Sequence, residues 1–327
     1  MRSEALAAVL VIAGLVPMPV RSATISVEVG SSIQAAISAA TGGDVITVAA
    51  GEFPEDIDFL GKAIAVIGSG PASVIRGTGL GSVVQFANGE GSDSVLDSFT
   101  ITGGVADRGG GIYISGASPM IARNVITQNQ ARLQGSGLYI TASNAQLYNN
   151  LITYNQTAGG DPHSVEIQDA APQLINNTIV RGDSNGIILR GASPAIIMNN
   201  IIALNGSSGR GRGICDFSGG TAVMHYNLFF RNMLAAVLTD GTDYRRVRTV
   251  QSTAGLPRFT GNVDGSPRFQ RPISRDPERT QVEDFIPRLR GRRGRAANAG
   301  NPEAQYNNLD GTRNHLGFTG GPFAAVP

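Results

Sequence analysis

The stretch NNLITYNQ, from Asn149 to Gln156, has a short apolar centre between asparagines. Similar stretches stand on either side of it: RNVITQNQ at 123–130, NNTIVRGD at 176–183, NNIIALNG at 199–206 and YNLFFRNM at 226–233. Their central apolar residues, with one more copy before them, recur in steps of 23 to 27 residues at Ile101, Ile126, Ile152, Ile179, Ile202 and Phe229. A fixed period of this length is typical of a solenoid, in which each unit stacks on the next.

Two further apolar segments repeat in step with the first. One reads GIYI, GLYI, SVEI, GIIL and GICD, and the other reads SPMIAR, NAQLYN, PQLINN, SPAIIM and TAVMHY. Each unit therefore holds three short strands separated by three turns. This pattern predicts an all-β, single-stranded parallel β-helix with three strands per coil, in which each strand pairs with its counterpart one coil later.

The asparagines at the repeated corner are predicted to be structural. Stacked in register, their side chains can hydrogen-bond along the solenoid, and asparagine also tolerates the left-handed backbone that tight turns need. The predicted ladder comprises Asn124, Asn150, Asn177, Asn200 and Asn227.

Composition limits the other classes of protein. The formal net charge of +1 gives no overall field that would attract nucleic acid, and the single cysteine, Cys215, excludes an internal disulfide. Residues 1–23 carry Arg2, an apolar stretch and small residues near Ser22, which predicts a secretory signal peptide and a secreted, periplasmic or cell-surface protein. No later segment is predicted to span a membrane.

The remaining chain divides into three parts. Residues 24–240 are predicted to form the β-helix, with an N-terminal capping helix in SSIQAAISAATGG. Residues 241–297 form an irregular segment rich in Pro and Arg, because 13 of the 25 arginines lie between 245 and 295. Residues 298–327 form a Gly-rich closing segment. We expect a monomer.

The stretch SIQAAISAATGGDVITVAAGEFPEDIDFLGKAIAVIGSG resembles the N-terminal coil of pectate-lyase-like right-handed parallel β-helix proteins. The closing NAGNPEAQYNNLDGTRNHLGFTGGP is similar to the end of secreted bacterial proteins of this kind, although Asn298, Asn308 and His315 stand where those proteins usually have Asp. The resemblance implies a right-handed coil and an exported bacterial protein. We expect no cofactor; if Ca²⁺ binds, the oxygens of Asn308 and Asp310 in the closing segment are the candidate ligands.

Alternation along the GIYI-type strands places one column of side chains outside the coil. This column comprises Tyr113, Tyr139, Glu166, Ile188 and Cys215, and the preceding turns carry Asp107, Arg108, Arg132, Asp161, His163 and Asp183. We expect an exposed strip in which tyrosines stack on sugar rings and arginines pair with uronate carboxylates. The predicted substrate-binding residues are Asp107, Arg108, Tyr113, Arg132, Tyr139 and Asp183.

The stretch DPHSVE is the richest in chemistry, because Asp161, His163 and Glu166 lie within six residues. Two acids and a histidine could act as general acid and base, so these are the candidate catalytic residues. A polar turn that happens to hold a histidine is the favoured explanation of the stretch, since its spacing matches no zinc motif. The leading hypothesis is therefore a non-catalytic protein that binds polysaccharide or a cell-envelope glycan. The alternative is a lyase, epimerase or glycoside hydrolase acting on acidic polysaccharide.

Overall fold

The structure, a computed structural model, describes residues 22–159, 163–207, 209–252, 258–288 and 294–324. Within them the chain winds through three long parallel sheets, and each full coil contributes one strand to each sheet. The fold is a right-handed parallel β-helix with three strands per coil, so the predicted fold class is confirmed.

The strands of the described residues fall into four sheets. Sheet 1 contains Thr24–Val27, Val45–Val48, Ala65–Gly68, Val95–Asp97, Met120–Ala122, Gln146–Tyr148, Gln173–Ile175, Ile196–Met198, Val223–His225 and Phe259–Thr260. Sheet 2 contains Gly51–Pro54, Ser73–Arg76, Thr100–Thr102, Val125–Thr127, Leu151–Thr153, Thr178–Val180, Ile201–Ala203, Leu228–Phe230 and Val263–Asp264. Sheet 3 contains Ile57–Asp58, Val84–Phe86, Ile112–Ser115, Leu138–Thr141, Val165–Gln168, Ile187–Arg190, Arg212–Phe217, Ala235–Thr239 and the antiparallel Thr242–Tyr244. A short sheet contains Val105–Arg108, Gln130–Gln134 and Gln156–Thr157.

Helices are short. Helix α1 spans Ile33–Ala39 and helix α2 spans Val247–Ser252, and single 3₁₀ turns lie at Pro277–Arg279, Val282–Phe285 and Ala304–Tyr306. Helix α1 caps the first coil and buries Ile33 and Ile37.

The core is a stack of equivalent apolar side chains. The central residues of the repeat pair directly from coil to coil in sheet 2, and the buried column comprises Ile101, Ile126, Ile152, Ile179, Ile202 and Phe229. Burying one such side chain stabilises the fold by about 1.5–3 kcal/mol. Residues that lie one period apart in the sequence are therefore strand partners, so the period gives the register of the sheet.

The corner between sheets 1 and 2 holds a continuous asparagine ladder. Each side-chain oxygen accepts the main-chain N–H of the asparagine one coil earlier, at 2.7–3.0 Å, through Asn124, Asn150, Asn177, Asn200, Asn227 and, beyond the predicted set, Asn262. Each side-chain nitrogen of the predicted set donates to a strand carbonyl, for example Asn150 to Ile121 at 2.8 Å. A second ladder, at the next corner, links Asn129 to Asn155 and Asn205 to Asn232.

The residue before each ladder asparagine points outward and differs in role. Asn149, Asn176 and Asn199 all have positive φ, between 56° and 61°, a conformation that asparagine adopts more readily than most residues. Asn149 Nδ2 donates to the carbonyls of Phe318 and Gly320 at 2.9 and 2.7 Å. The doubled NN of the repeat therefore combines an internal ladder residue with an anchor for the closing segment.

The solenoid extends further than the sequence predicts. Strands Phe259–Thr260 and Val263–Asp264 pair with the preceding coil, so the boundary at residue 240 comes too early. Non-repetitive spacing between residues 241 and 258 hides this last coil from a search for the period. The chain then returns along the outer face of sheet 2, where Ile273 and Phe285 pack against Tyr154 and its neighbours.

Candidate functional site

The outer face of sheet 3 brings the predicted column together. Tyr113 pairs with Tyr139, Tyr139 with Glu166, Glu166 with Ile188, and Ile188 with Cys215, each one strand apart. The period-2 alternation of the strands therefore assigns these side chains correctly to the outside of the coil.

The expected exposure of this column is wrong for most of its members. Tyr113 is half-buried, but Tyr139, Glu166, Ile188 and Cys215 are all at least 95% buried. Longer side chains cover Glu166 in particular, because Gln134 from the short sheet and Arg190 from the same face both hydrogen-bond to it. An outward direction in a β-helix does not ensure contact with solvent, because lateral neighbours one coil away can cover the position.

Glu166 is the centre of a hydrogen-bond network. Its Oε1 accepts from Arg190 Nε at 2.9 Å and from Gln134 Nε2 at 2.8 Å. Gln134 Nε2 also lies 3.2 Å from Gln168 Oε1, which accepts from the Tyr139 hydroxyl at 3.2 Å. The Oε2 atom of Glu166 is buried and has no hydrogen-bond partner among the described residues.

Aromatic rings and a guanidinium extend the network toward solvent. The rings of Tyr113 and Tyr139 stack with centroids 5.8 Å apart, and Arg108 lies 5.7 Å from the centroid of Tyr139. Arg108 Nε donates to Gln134 Oε1 at 2.6 Å. Burial raises the pKa of the Tyr139 hydroxyl above its usual value. The resulting surface, here called the sheet 3 strip, comprises Arg108, Tyr113, Gln134, Tyr139, Glu166, Gln168 and Arg190.

The predicted turn residues have separate surroundings. Exposed Asp107 and Arg132 form an ion pair at 3.3 Å, close to the strip. Asp183 instead accepts the main-chain N–H of Thr157 at 2.8 Å, an interaction that holds neighbouring coils together. Asp161 lies outside the described residues.

The sequence suggested that His163 belongs to an exposed acid–base cluster, but in the structure it does not. Its ring is buried, and Nδ1 lies 3.0 Å from Asn185 Nδ2 and 3.3 Å from Ser184 Oγ. The turn places the histidine under the next coil, where it packs as an interior residue.

Gln134, Gln168 and Arg190 were not among the predicted site residues. Gln168 and Arg190 are register partners, two positions after the predicted column in each strand. Extending the alternation by one step would have found both. Gln134 belongs to the short sheet, whose strands occur in only part of the solenoid, so the repeat gave no signal for it.

Asn308 and Asp310 use their side-chain oxygens within the closing turn. Asp310 Oδ1 accepts from the main-chain N–H and hydroxyl of Thr312 at 2.9 and 2.6 Å, and these bonds lower the pKa of the carboxyl. Asn308 Oδ1 accepts from the N–H groups of His315 and Gly321. Calcium binding at this turn stays a prediction.

Comparison with known proteins gives one family and one related fold. The sequence matches the family described as "Periplasmic copper-binding protein (NosD)" over residues 42–262. A search of curated proteins finds no match. The crystal structure of pectate lyase Pel9A is similar, with 14% identity and a TM-score of 0.38, over 91% of this chain and 96% of the lyase chain.

The localisation agrees with the family. In the described part of the chain, no helix is long and apolar enough to cross a membrane. The predicted periplasmic or secreted localisation is confirmed by the periplasmic family. Because the match covers well over half of the sequence, this chain belongs to the NosD family.

Proposed function

We propose that this exported β-helix protein uses the sheet 3 strip to bind acidic polysaccharide or a cell-envelope glycan without cleaving it. The observation that carries the proposal is the stacked pair Tyr113 and Tyr139 beside the exposed Arg108. Aromatic rings offer apolar faces on which sugars can stack, and guanidinium groups pair with carboxylates in a planar, bidentate geometry.

The strip supports an extended ligand because its groups follow the solenoid axis. Arg108, Gln134, Gln168 and Arg190 come from successive coils, and neighbouring parallel strands lie about 4.8 Å apart. Amide and guanidinium donors are thus repeated along one direction. A chain of sugar units could contact several of them at once, with Tyr113 as the most accessible ring.

Burial argues for binding in preference to catalysis. A general acid or base must come within hydrogen-bond reach of the reacting group. Glu166 is fully buried, and its Oε1 is held by Arg190 and Gln134. His163 is also buried, away from the strip. These two candidate catalytic groups therefore support a structural role better than a chemical one.

One observation favours the alternative, a polysaccharide-processing enzyme. Glu166 Oε2 is a buried carboxylate oxygen without a hydrogen-bond partner among the described residues, and buried unsatisfied polar atoms are few in folded proteins. Arg190, whose side chain is 43% exposed, contacts the other oxygen of this carboxylate, Oε1. The two hypotheses make different predictions: the enzyme releases product from the polysaccharide, and the binding protein does not.

Copper, which the family's description names, requires a separate test of the residues. Cu(I) prefers thiolate, thioether and imidazole ligands. Met198 and His225 are register partners on sheet 1, but Asn301 Nδ2 already lies 3.3 Å from Met198 Sδ. Within the described ranges, no three His, Cys, Asp or Glu side chains are grouped as a metal site. The proposed function does not depend on copper.

The test is affinity electrophoresis of the purified protein in gels containing polygalacturonate or alginate. We expect retardation, and we expect Tyr113→Ala and Arg108→Gln each to weaken binding about tenfold, equivalent to about 1.4 kcal/mol. Arg76→Gln is the matched control, because Arg76 is a similarly exposed arginine on sheet 2. Equal retardation of all four proteins would refute the proposed site. Unsaturated products or new reducing ends that disappear in Glu166→Gln would support the enzyme.

A further inference from the structure

A second surface, partly formed by the returning C-terminal segment, carries a concentration of arginines. A cleft of about 640 Å³ opens between sheet 2 and the returning C-terminal segment. Five arginines line it: Arg181, Arg231, Arg268, Arg271 and Arg288. This volume is within the range of small-ligand sites in proteins. The cleft, here called the arginine cleft, is not used by the proposed function.

The solenoid supplies one wall of the cleft. Arg181 and Arg231 occupy the same corner position in two coils, directly after a sheet 2 strand, and both have positive φ. Leu204 stands at this position in the coil between them, also with positive φ. The repeated corner therefore projects two guanidinium groups to the same side, separated by an apolar side chain.

The C-terminal segment supplies the opposite wall. Arg268, Arg271 and Arg288 belong to this segment, and all three are exposed. Arg288 donates to the carbonyl of Gln270 at 2.7 Å, and the chain segments of Arg268 and Arg288 are joined by a main-chain hydrogen bond at 2.9 Å. The wall is thus an ordered part of the fold in which several cationic groups are fixed close together.

The positive charge of the cleft has little compensation. None of the described residues that line the cleft is Asp or Glu. The ion pair of Arg271 with Asp284 is long, at 3.5 Å, and its arginine is 72% exposed. Arg181 donates to the carbonyl of Ile273 at 2.7 Å, while its Nε is buried without an acceptor among the described residues. Burial, with repulsion from Arg275, lowers the pKa of Arg181.

The floor of the cleft is apolar. Leu204, Phe230, Phe269 and Ile273 line it beside the arginines, and Arg231 lies 5.2 Å from the ring centroid of Phe230. A small inorganic anion could contact the arginines, but it would leave the apolar floor uncovered. A ligand that has a ring or a short carbon frame as well as several anionic groups would contact both the floor and the walls.

We propose that the arginine cleft binds a compact oligoanion, a sugar-sized ring that carries two or more sulfate or phosphate groups. Guanidinium groups bind such oxyanions through paired, charge-assisted hydrogen bonds. A neighbouring cavity of about 470 Å³ shares Arg181, Leu204 and Arg231 with the cleft and adds Arg275. The site therefore has room for a ligand of more than one ring.

The experiment is isothermal titration calorimetry of the full chain with sucrose octasulfate, a sulfated disaccharide, as the probe. We expect saturable binding to one site that weakens as salt is raised. Arg231→Gln and Arg268→Gln should each lower the affinity about tenfold, because each removes charge-assisted hydrogen bonds. Both arginines are exposed, so the variants should fold. Arg76→Gln, at an exposed arginine of sheet 2 that does not line the cleft, should leave the affinity unchanged.

Three results would overturn the proposal: no saturable binding, unchanged affinity in both cleft variants, or tighter binding of single-stranded DNA than of the octasulfate. The last would indicate a general polyanion surface. Inorganic pyrophosphate serves as a second probe that lacks a ring, and we expect it to bind more weakly because it leaves the apolar floor uncovered. Titration of Arg231→Gln with polygalacturonate should give wild-type affinity, which separates failure of this site from failure of the sheet 3 strip.

Discussion

Two adjacent asparagines of one corner have different environments. Asn150 is fully buried, and its side-chain oxygen accepts from the main-chain N–H of Asn124 at 3.0 Å while its nitrogen donates to Ile121. Asn149 points outward and holds only the closing segment. The two residues are of the same type and are adjacent in the sequence. The difference in their roles therefore comes from the side of the backbone on which each side chain lies.

This difference predicts unequal costs of substitution. Asn150→Ala leaves a buried N–H and a buried carbonyl without partners, and we expect it to lower the free energy of unfolding by about 3 kcal/mol. Asn149→Ala loses two hydrogen bonds to the closing segment outside the coil, so we expect a loss of about 1–2 kcal/mol. Denaturant titration of both variants measures the costs. Similar losses in the two would contradict the assignment of Asn150 to an internal ladder.

The surroundings of Glu166 mark the limit of prediction at this scale. The alternation of the strand places Glu166 correctly outside the coil. Its burial depends on Gln134 and Arg190, which come from neighbouring coils and lie 32 and 24 residues away in sequence. No local pattern encodes such coverage, because it depends on side-chain length and direction at positions that the repeat leaves variable.

Helix α1 illustrates how a short element is fixed by distant residues. The chain's single lysine, Lys62, donates to the carbonyls of Ile37, Ser38 and Ala40 at 2.7–2.8 Å. At the other end, Glu55 accepts from the N–H groups of Ile33 and Gln34. Both charges match the helix dipole and satisfy end groups that have no partner within the helix.

We therefore expect Lys62→Met to destabilise the N-terminal cap. The substitution keeps the length of the aliphatic chain but removes three charge-assisted hydrogen bonds, and we expect the free energy of unfolding to fall by about 2 kcal/mol. Hydrogen exchange should show faster opening of residues 33–40 than of the central coils. Unchanged exchange there would contradict this anchoring role, and Arg76→Gln provides a control charge deletion on an exposed strand.

We expect the end of the solenoid at the last strand of sheet 3 to lose stability at low pH. Hydrogen bonds from Arg212 lower the pKa of Asp243 below its ordinary value of 3.8. A carboxyl with a lowered folded-state pKa stabilises the fold above the unfolded value, and this contribution disappears as the pH falls through the folded value.

Wild-type protein should therefore lose stability more steeply than Asp243→Asn as the pH falls below about 4, where the unfolded carboxyl begins to take up its proton. Thermal unfolding of both proteins at several pH values between about 5 and 2 measures this difference in stability. Parallel curves for the two proteins would show that the ion pair does not couple folding to protonation.

The whole molecule is a solenoid held by its own C-terminal segment. Outward apolar residues of sheet 2, among them Leu151, Val180 and Ile201, are buried by Phe285, Leu316 and their neighbours. The Tyr154 hydroxyl lies 2.9 Å from both the carbonyl of Ser274 and the hydroxyl of Thr280. Without this segment a row of apolar side chains would face solvent, so the segment completes the fold and also forms one wall of the arginine cleft.

Phe285→Ala should loosen this segment while leaving the solenoid intact. Truncating a buried phenylalanine costs about 3–5 kcal/mol. We expect faster proteolysis between residues 265 and 324 and little change in the far-ultraviolet circular dichroism of the strands. Tyr113→Ala, on sheet 3, is the control. Loss of all β structure in Phe285→Ala would show that the segment and the solenoid fold as one cooperative unit.

At this scale the sequence predicts the repeated part of the molecule well and the non-repeated part poorly. The column from Ile101 to Phe229 gives the register, because a fixed period and a stacked strand are equivalent. The path of residues 265–324 follows no period, and its contacts with Asn149, Tyr154 and Asn176 join positions more than 100 residues apart. The arginine cleft depends on that path, so it was visible in the sequence only as an excess of Arg.

The most direct test of the central claim is a binding isotherm of polygalacturonate with the wild-type protein and with Tyr113→Ala. If the sheet 3 strip is the glycan-binding surface, the wild type binds, the tyrosine variant binds about tenfold more weakly, and neither releases product. Wild-type affinity in Tyr113→Ala, with Arg108→Gln also unaffected, would contradict the account and place any glycan site elsewhere on the solenoid.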